Sequence, residues 1–188
     1  SLNWTEKNRP EALFELLDSH HIHLAAAALP RTVVKDRHLI AGPALFETPV
    51  HIVYRTSDRR PRSMTDLSGK KLALIIGSGH TPILMRQKRK HPDLGWAALE
   101  NVWPEELLAQ LQAGKYDAVV INGMDFDPMR SVYPGLAVAF DIGDTQKIVW
   151  ALPPRSSQAL RNALARFVEQ AHKDGTIKRI YERYFGHV

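Results

Sequence analysis

The sequence predicts an α/β fold, and three features of its central part support this prediction. The apolar run at 72–76 breaks into a glycine-rich turn, and a helix is predicted to begin near Pro82. A second predicted helix begins at Pro104, where proline and the two glutamates after it suit a first turn. The continuous apolar run at 118–121 follows after a short connection. This alternation is typical of a parallel sheet with helices packed on it, so we expect an α/β lobe over residues 60–142.

The segments before this lobe are predicted to form one helix and two strands. Pro10 begins an amphipathic helix, and the small-residue run at 22–29 is predicted to be a buried strand that ends at Pro30. A further strand is expected in the second half of 41–55, where apolar and polar residues alternate. The apolar face of the helix consists of Leu13, Leu16 and Leu17.

The segments after the lobe are predicted to form two strands and two helices. The strands lie at 136–140 and 147–152, and Ser156 or Ser157 caps the longer helix. Gly175 ends this helix, and a short final helix follows. The apolar stripe of the longer helix is Leu160, Leu164, Phe167, Val168 and Ala171.

Composition places the chain among ordinary globular proteins. The residues are 44% hydrophobic and 24% charged, as is typical of this class. A length of 188 residues is enough for one domain or two small lobes. The chain has no cysteine, which excludes a disulfide framework, a zinc ribbon and a thiol nucleophile. No stretch has the apolar length that a membrane span needs, so we expect no membrane contact by this chain itself.

The net charge of +5 comes largely from two basic clusters, at 55–62 and 86–90. Such clusters can hold phosphates, but neither contains the interleaved aromatic residues that stack on nucleic-acid bases. We interpret both clusters as solvated surface segments and expect no nucleic-acid partner.

Three segments, taken in order, resemble landmarks of the type II periplasmic solute-binding proteins, in particular of the amino-acid-binding branch. They are 64–81 ("MTDLSGKKLALIIGSGHT"), 98–122 ("ALENVWPEELLAQLQAGKYDAVVIN") and 156–186 ("SSQALRNALARFVEQAHKDGTIKRIYERYFG"). The resemblance implies a two-lobed clamshell that binds its ligand in the cleft between the lobes.

The same resemblance implies how the chain divides into lobes. Lobe one would consist of residues 3–58 and 146–188, and lobe two of residues 59–145. The family begins with a strand–helix–strand unit that has no counterpart before the helix at Pro10. Lobe one is therefore expected to be incomplete, with this first unit missing.

Two further segments are similar to the N-terminal, substrate-binding-like module of membrane-bound lytic murein transglycosylases. They are 42–55 ("GPALFETPVHIVYR") and 136–144 ("LAVAFDIGD"). This similarity implies a regulatory module in the periplasm that senses muropeptides or a related small ligand, and that meets peptidoglycan through a parent enzyme attached to the outer membrane. The parent family's catalytic Glu-Ser motif is absent, so this chain itself is not expected to cleave glycan. A solute-binding receptor of an amino-acid ABC transporter is the alternative.

The resemblance also assigns candidate ligand-binding residues. The arginine that binds the ligand carboxylate in the amino-acid-binding branch corresponds to Lys35, with Arg31 and Arg37 as flanking substitutes. The acid that binds the ligand ammonium corresponds to Asn122, with Asp125 three residues later. A lysine lacks the guanidinium fork and an amide lacks a charge, so free amino acids are not the expected ligand.

The glycine-rich turn (77–80, hereafter the glycine turn) fits none of the nucleotide or nucleophile motifs. It lacks the lysine of a phosphate-binding loop, the third glycine of a dinucleotide fingerprint and the central serine of a nucleophile elbow. Two interpretations stay open. Ser78, Gly79 and Thr81 could offer N–H and hydroxyl groups to a ligand, or the glycines could simply provide the positive φ of a tight turn.

The remaining candidates are assigned ordinary structural roles or left open. Phe46 either contacts the ligand, as the resemblance implies, or packs in the core. His20, His21 and His23 have no acidic partner at ligand spacing, and Asp117, Asp125 and Asp127 are interpreted as turn residues. We therefore expect no metal ion, no cofactor and no catalytic residue.

Overall fold

The computed structural model describes residues 10–185, which form two compact units. Unit one contains the chain up to Glu47 together with Lys147–Lys178, and unit two contains Thr48–Gln146 together with the segment from Arg179 onward. No helix within the described residues is long and apolar enough to cross a membrane.

Seven α-helices and eight strands occur in the described part of the chain, besides two short 3-10 helices at Met64–Leu67 and Asp127–Met129. In chain order they are α1 (Pro10–Asp18), β1 (Ala25–Pro30), α2 (Arg31–Asp36), β2 (Ile40–Thr48), β3 (Val50–Arg55), β4 (Leu72–Ile75), α3 (Thr81–Lys88), β5 (Trp96–Leu99), α4 (Pro104–Gln112), β6 (Ala118–Asn122), α5 (Gly123–Phe126), β7 (Leu136–Asp141), β8 (Gln146–Leu152), α6 (Gln158–Lys173) and α7 (Thr176–Phe185).

Unit one is built on a three-stranded sheet in the order β1-β8-β2. The predicted first helix is present, with Phe14 and Leu17 buried and Leu13 only half-buried. Its core also contains Val34 and Val149. Helix α2 was not predicted from the sequence, because only two of its six residues are apolar. These two residues, Val33 and Val34, are both buried.

The two closing helices of the chain follow the predicted pattern closely. The Oγ of Ser157 accepts a hydrogen bond from the N–H of Leu160 at 3.2 Å, so Ser157 is the N-cap of α6. Gly175 ends the helix region with φ of 73°. Phe167 differs from the rest of the predicted stripe, because it is 56% exposed and stacks on Trp150 with ring centroids 5.7 Å apart.

Unit two contains a five-stranded sheet in the order β5-β4-β6-β3-β7. β4 is parallel to β5 and β6, as predicted, whereas β3 is antiparallel to both β6 and β7. The sheet is therefore mixed. Residues of α3 pack in the core cluster on one face and residues of α4 in the cluster on the other. Because both faces are covered, the first five residues of β3 are all buried and do not show the expected alternation.

The boundary between the units differs from the one inferred from the sequence. Residues 48–58 were assigned to lobe one, but β3 is hydrogen-bonded on both sides within the five-stranded sheet of unit two. The apolar run of β3 would suit the sheet of either unit, because a buried strand has the same apolar pattern whichever strands it pairs with. On the C-terminal side unit one resumes at Lys147 and ends at Lys178, whereas the expected lobe one comprised 146–188.

We predict that Gly123→Ala lowers the free energy of unfolding by about 1–3 kcal/mol. An added Cβ would lie 2.9 Å from Nε2 of His51 and 2.9 Å from Cγ of Pro49. The His51 ring is buried and the proline ring is rigid, so neither moves away without cost. Urea unfolding followed by circular dichroism measures the difference.

Gly95→Ala is the matched control, because its added Cβ would meet no atom within 4 Å. We expect its free energy of unfolding to stay within about 0.5 kcal/mol of the parent value. Equal destabilisation by the two substitutions would show that the close approach at Gly123 is not the cause.

Candidate ligand-binding site

The glycine turn connects β4 to α3 at the carboxyl end of β4. Gly77 and Gly79 adopt φ of 82° and 80°, a region that only glycine enters readily, so the tight-turn interpretation describes the backbone correctly. The N–H of Ser78 donates to the carbonyl of Ile75 at 3.3 Å, which closes the turn. Helix α3 then begins at Thr81.

Three consecutive backbone N–H groups follow the closed part of the turn. Those of Gly79, His80 and Thr81 donate to no acceptor within residues 10–185. Gly79 and Thr81 are half-buried, so their N–H groups are neither deep in the core nor fully solvated. Adjacent N–H groups at the start of a helix are well suited to hold the oxygen of a carbonyl or carboxylate group.

A hydrogen-bonded row of side chains lies behind these N–H groups; we call Ser78, His80, Asn122 and Asp125 the polar chain. Nδ1 of His80 lies 2.8 Å from Oγ of Ser78, and Nε2 of His80 lies 2.9 Å from Oδ1 of Asn122. The Asn122 side chain is also hydrogen-bonded to the carboxyl group of Asp125. The polar chain therefore connects the glycine turn to the end of β6 and the start of α5.

His80 is neutral in this setting. Burial lowers the pKa of His80 from 6.5 to about 4, although the hydrogen bond with Asn122 acts in the opposite direction. An amide oxygen can only accept, so Nε2 carries the proton and Nδ1 is the acceptor. The hydroxyl of Ser78 has two acceptors within reach, Nδ1 of His80 and the carbonyl of Ile75 at 2.7 Å, and its single hydrogen can serve one at a time.

Asp125 lies in surroundings that disfavour its ionised form. Burial raises the pKa of Asp125 from 3.8 to about 6, the hydrogen bond with Asn122 opposes this rise, and the negative charge of Glu105 adds to it. The polar chain thus has an uncharged imidazole, an uncharged amide and a carboxyl group that takes up a proton in mildly acidic solution.

A second histidine fixes the neighbouring strand ends. Nδ1 of His51 lies 2.6 Å from Oδ1 of Asp141, and Nε2 lies 3.8 Å from Oδ1 of Asp127. This Nε2 has no hydrogen-bond partner in the described part of the chain. The close contact of Gly123 with the His51 ring explains why α5 starts with glycine. The His51–Asp141 contact therefore links β3 to β7, and the Gly123 contact brings the start of α5 against β3.

The structure separates the candidate residues into two groups. Ser78, Gly79, Thr81, Asn122 and Asp125 all lie in unit two, around the polar chain. The remaining candidates, which belong to unit one, are Arg31, Lys35, Arg37 and Phe46.

The unit-one candidates differ in how far they are engaged. Lys35 is exposed in the last turn of α2. Arg37 lies over the ring of Phe14, 4.2 Å from its centroid. Arg31 donates from Nη2 to the carbonyl of Gly42 at 3.5 Å, and Phe46 is half-buried in β2. Of the three cations, Lys35 is therefore the most available to a ligand, while Arg37 already has a partner.

His80 is the residue of the candidate site that the sequence reasoning missed. It follows the glycines and precedes the first apolar residue of α3, which makes it resemble a solvated turn residue. The signal that could have identified it is the position of Asn122. Parallel neighbours β4 and β6 end at the same edge of the sheet, so polar residues just after each strand lie close together.

The residues considered as metal ligands or acid–base groups are either exposed or engaged in local hydrogen bonds and ion pairs. No group of three or more histidine, aspartate or glutamate side chains in residues 10–185 could hold a metal ion, and the three histidines at 20–23 are exposed. Asp117 accepts from the N–H of Lys71 at 2.8 Å. Asp127 is paired with Arg130 at 2.8 Å.

The chain matches the bacterial extracellular solute-binding proteins of family 3 over residues 2–187. Among curated relatives, it is 76% identical over its 188 residues to the membrane-bound lytic murein transglycosylase F of Thiobacillus denitrificans. It is 38% identical over 178 residues to the protein of the same name from Pasteurella multocida. The chain spans 40% and 36% of the lengths of these two relatives.

Solved structures share the fold at low sequence identity. An ancestral arginine-binding protein bound to arginine superimposes with a TM-score of 0.76 at 23% identity, over 93% of this chain and 76% of the other. This agreement confirms the expected α/β fold of the type II solute-binding proteins.

We predict that Asp125→Asn makes the free energy of unfolding fall more steeply between pH 6.5 and 4 than in the parent protein. Unfolded His80 takes up a proton in this window while folded His80 does not, so acid destabilises the folded state by about 3 kcal/mol. Folded Asp125 takes up a proton between about pH 6 and 3.8 and has the opposite effect. Urea unfolding at a series of pH values measures both slopes.

The double variant Asp125→Asn with His80→Gln is the control, because it removes both titrating groups. Its pH slope should lose the extra acid destabilisation that the single variant shows. If the single and double variants have the same slope, His80 does not titrate as its burial requires.

Proposed function

The chain belongs to the bacterial extracellular solute-binding proteins of family 3, and from this premise we propose that it is a non-catalytic module that recognises cell-wall peptides in the periplasm. The observation that carries the proposal is the row of three N–H groups at 79–81, next to the neutral side chains of Ser78, His80 and Asn122. These groups provide hydrogen-bond donors without a fixed charge. A peptide carbonyl or a terminal carboxylate meets this requirement.

The same site is poorly suited to the ammonium group of a free amino acid. A buried ammonium group needs an ionised partner, and Asn122 occupies the position where the resemblance places that acid. Asp125 is close by, but its carboxyl group is hydrogen-bonded to Asn122 and its raised pKa reflects surroundings that disfavour the charge. In a peptide or muropeptide, the corresponding nitrogen is an uncharged amide, so no such partner is required.

Unit one has ligand-binding candidates of its own. The exposed ammonium group of Lys35 supplies the charge for a ligand carboxylate, as a point charge without a fork. Arg31 is the second candidate, since its Nε is buried without a hydrogen-bond partner in residues 10–185. Phe46, which is half-buried, supplies an apolar contact.

The proposal extends to a parent protein, because the chain spans only 40% of its 76%-identical relative. We infer that this chain is the ligand-binding part of a membrane-bound lytic murein transglycosylase and that glycan cleavage resides in the remaining part. Peptidoglycan is then reached through the parent, which we place at the outer membrane. Occupancy by released wall peptides would regulate the parent enzyme.

We predict that calorimetric titration with stem peptides and with muramoyl peptides gives saturable binding, whereas the free amino acids contained in those peptides give none. Peptides and free amino acids both offer a carbonyl or carboxylate oxygen to the donor row at 79–81. Only a free amino acid also brings an ammonium group to the position of Asn122, which carries no charge to pair with it. Micromolar binding of one amino acid with no response to peptides would instead indicate a transporter receptor.

Gly79→Ala is expected to weaken peptide binding by at least about threefold, because a Cβ at φ of 80° strains the turn and displaces the adjacent N–H groups. Gly69→Ala is the matched control. Gly69 also has a positive φ, 73°, but precedes β4 and therefore lies at the opposite end of the strand. Equal loss of affinity in both variants would attribute the effect to general strain.

A further inference from the structure

A β-bulge in the edge strand β7 leaves one carbonyl group outside the ladder. In the pairing with β3, Ile52 faces Phe140 and Val53 faces Val138, so Ala139 is the extra residue. Its carbonyl accepts two hydrogen bonds from Arg60, from Nε at 3.1 Å and from Nη2 at 2.5 Å. The guanidinium group of Arg60 is therefore fixed against the bulge.

The turn that begins the same basic segment is also fixed. Nη2 of Arg55 lies 2.6 Å from Oδ2 of Asp58, and Nη1 of Arg55 donates to the carbonyls of Leu111 and Tyr116. With Arg55 and Arg60 both held, the segment at 55–62 has a defined course over unit two. Most of its side chains are nevertheless exposed, as expected of a solvated surface segment.

An open surface cavity of about 430 Å³ adjoins this segment, where Arg59, Arg60 and Arg62 are all exposed, and we call it the arginine cavity. Its lining contains three guanidinium groups and no acidic side chain; the residues are Arg59, Arg60, Arg62, Ala139 and Phe140. The guanidinium groups of Arg59 and Arg62 make no hydrogen bond or ion pair within residues 10–185, in contrast to that of Arg60. Three like charges around one cavity repel each other unless an anion is present.

A second cavity adjoins the arginine cavity and differs from it in containing acidic side chains. The adjoining cavity has the same volume, about 430 Å³, and shares Arg59 and Arg60, but three carboxylates and two further cations also line it. The carboxylates belong to Asp58, Asp66 and Asp117, and the cations to Arg55 and Lys70. Charges in that cavity compensate one another, as the Arg55–Asp58 pair shows.

We propose that the arginine cavity binds a small oxyanion with two negative charges, either a phosphate group or a dicarboxylate. Guanidinium groups donate in a planar fork that matches the oxygens of both. Arg60, held at the bulge, provides a fixed charge, and Arg59 and Arg62 supply free donors. Phe140 forms an apolar wall that admits a short carbon skeleton attached to the anionic group. This site is independent of the glycine turn and does not rest on peptide binding there.

The test is a titration of the ¹⁵N-labelled chain with inorganic phosphate and, separately, with succinate, at constant ionic strength maintained with sodium chloride. Constant ionic strength is needed because added salt alone screens exposed arginines. We expect saturable shifts of the Nε–H signals of Arg59 and Arg62, with a Kd on the order of 1 mM. The anion that binds with the lower Kd shows whether the natural ligand is a phosphate or a dicarboxylate.

The variant Arg59→Gln with Arg62→Gln should weaken binding by at least about fivefold, since it removes two charge-assisted donors. The matched control is Arg86→Gln with Arg89→Gln, which removes the same charge from exposed residues of the second basic cluster and should leave binding unchanged. Equal weakening by the two double variants, or shifts that rise without saturation, would overturn the proposal. Arginine-dependent sedimentation with phosphatidylglycerol vesicles, without binding of either small anion, would also overturn it in favour of a membrane surface.

Discussion

The carboxyl edge of the unit-two sheet depends on one buried interaction, the hydrogen bonding of His80 on both sides of its ring. His80 is only 2% exposed, and its neutral imidazole connects Ser78 of the glycine turn to Asn122 at the end of β6. A charged imidazole at this depth would lose its hydration without gaining an anionic partner. His80 is also the middle residue of the three whose N–H groups donate to no acceptor in residues 10–185, so its anchored side chain restrains the backbone of that row.

Chain order and hydrophobic pattern are sufficient to predict most of the fold. The runs at 72–76 and 118–121 and the proline-initiated helix α4 have strong local signals, and each forms the expected element. The helix α2 lacks such a signal, since its charged residues outnumber the two that it buries. The error in placing β3 has a different cause from the failure to predict α2. Its composition predicts a strand correctly, but whether a strand pairs with one sheet or another is decided by contacts that are distant in sequence.

The candidate site shows the same limit at the level of side chains. Family resemblance selects Asn122 and Asp125, and the glycine turn draws attention to Ser78 and Thr81, yet the residue that joins them, His80, has no motif of its own. Its importance arises from burial and from the parallel register of β4 and β6, neither of which a local pattern records. The basic segment at 55–62 is a related case. Its charge is evident in the sequence, but the bulge at Ala139 that fixes Arg60 is a property of strand pairing. That these residues bind ligands stays a prediction.

The central claim, that the N–H groups of the glycine turn hold an oxygen of a cell-wall peptide, is tested most directly by amide chemical shifts. The measurement is a titration of the ¹⁵N-labelled chain with a stem peptide, observed by two-dimensional NMR. We expect the amide signals of Gly79, His80 and Thr81 to move downfield together and to saturate at one common Kd, as hydrogen bonds to an acceptor form. Saturable peptide binding that leaves these three signals unmoved would contradict the claim.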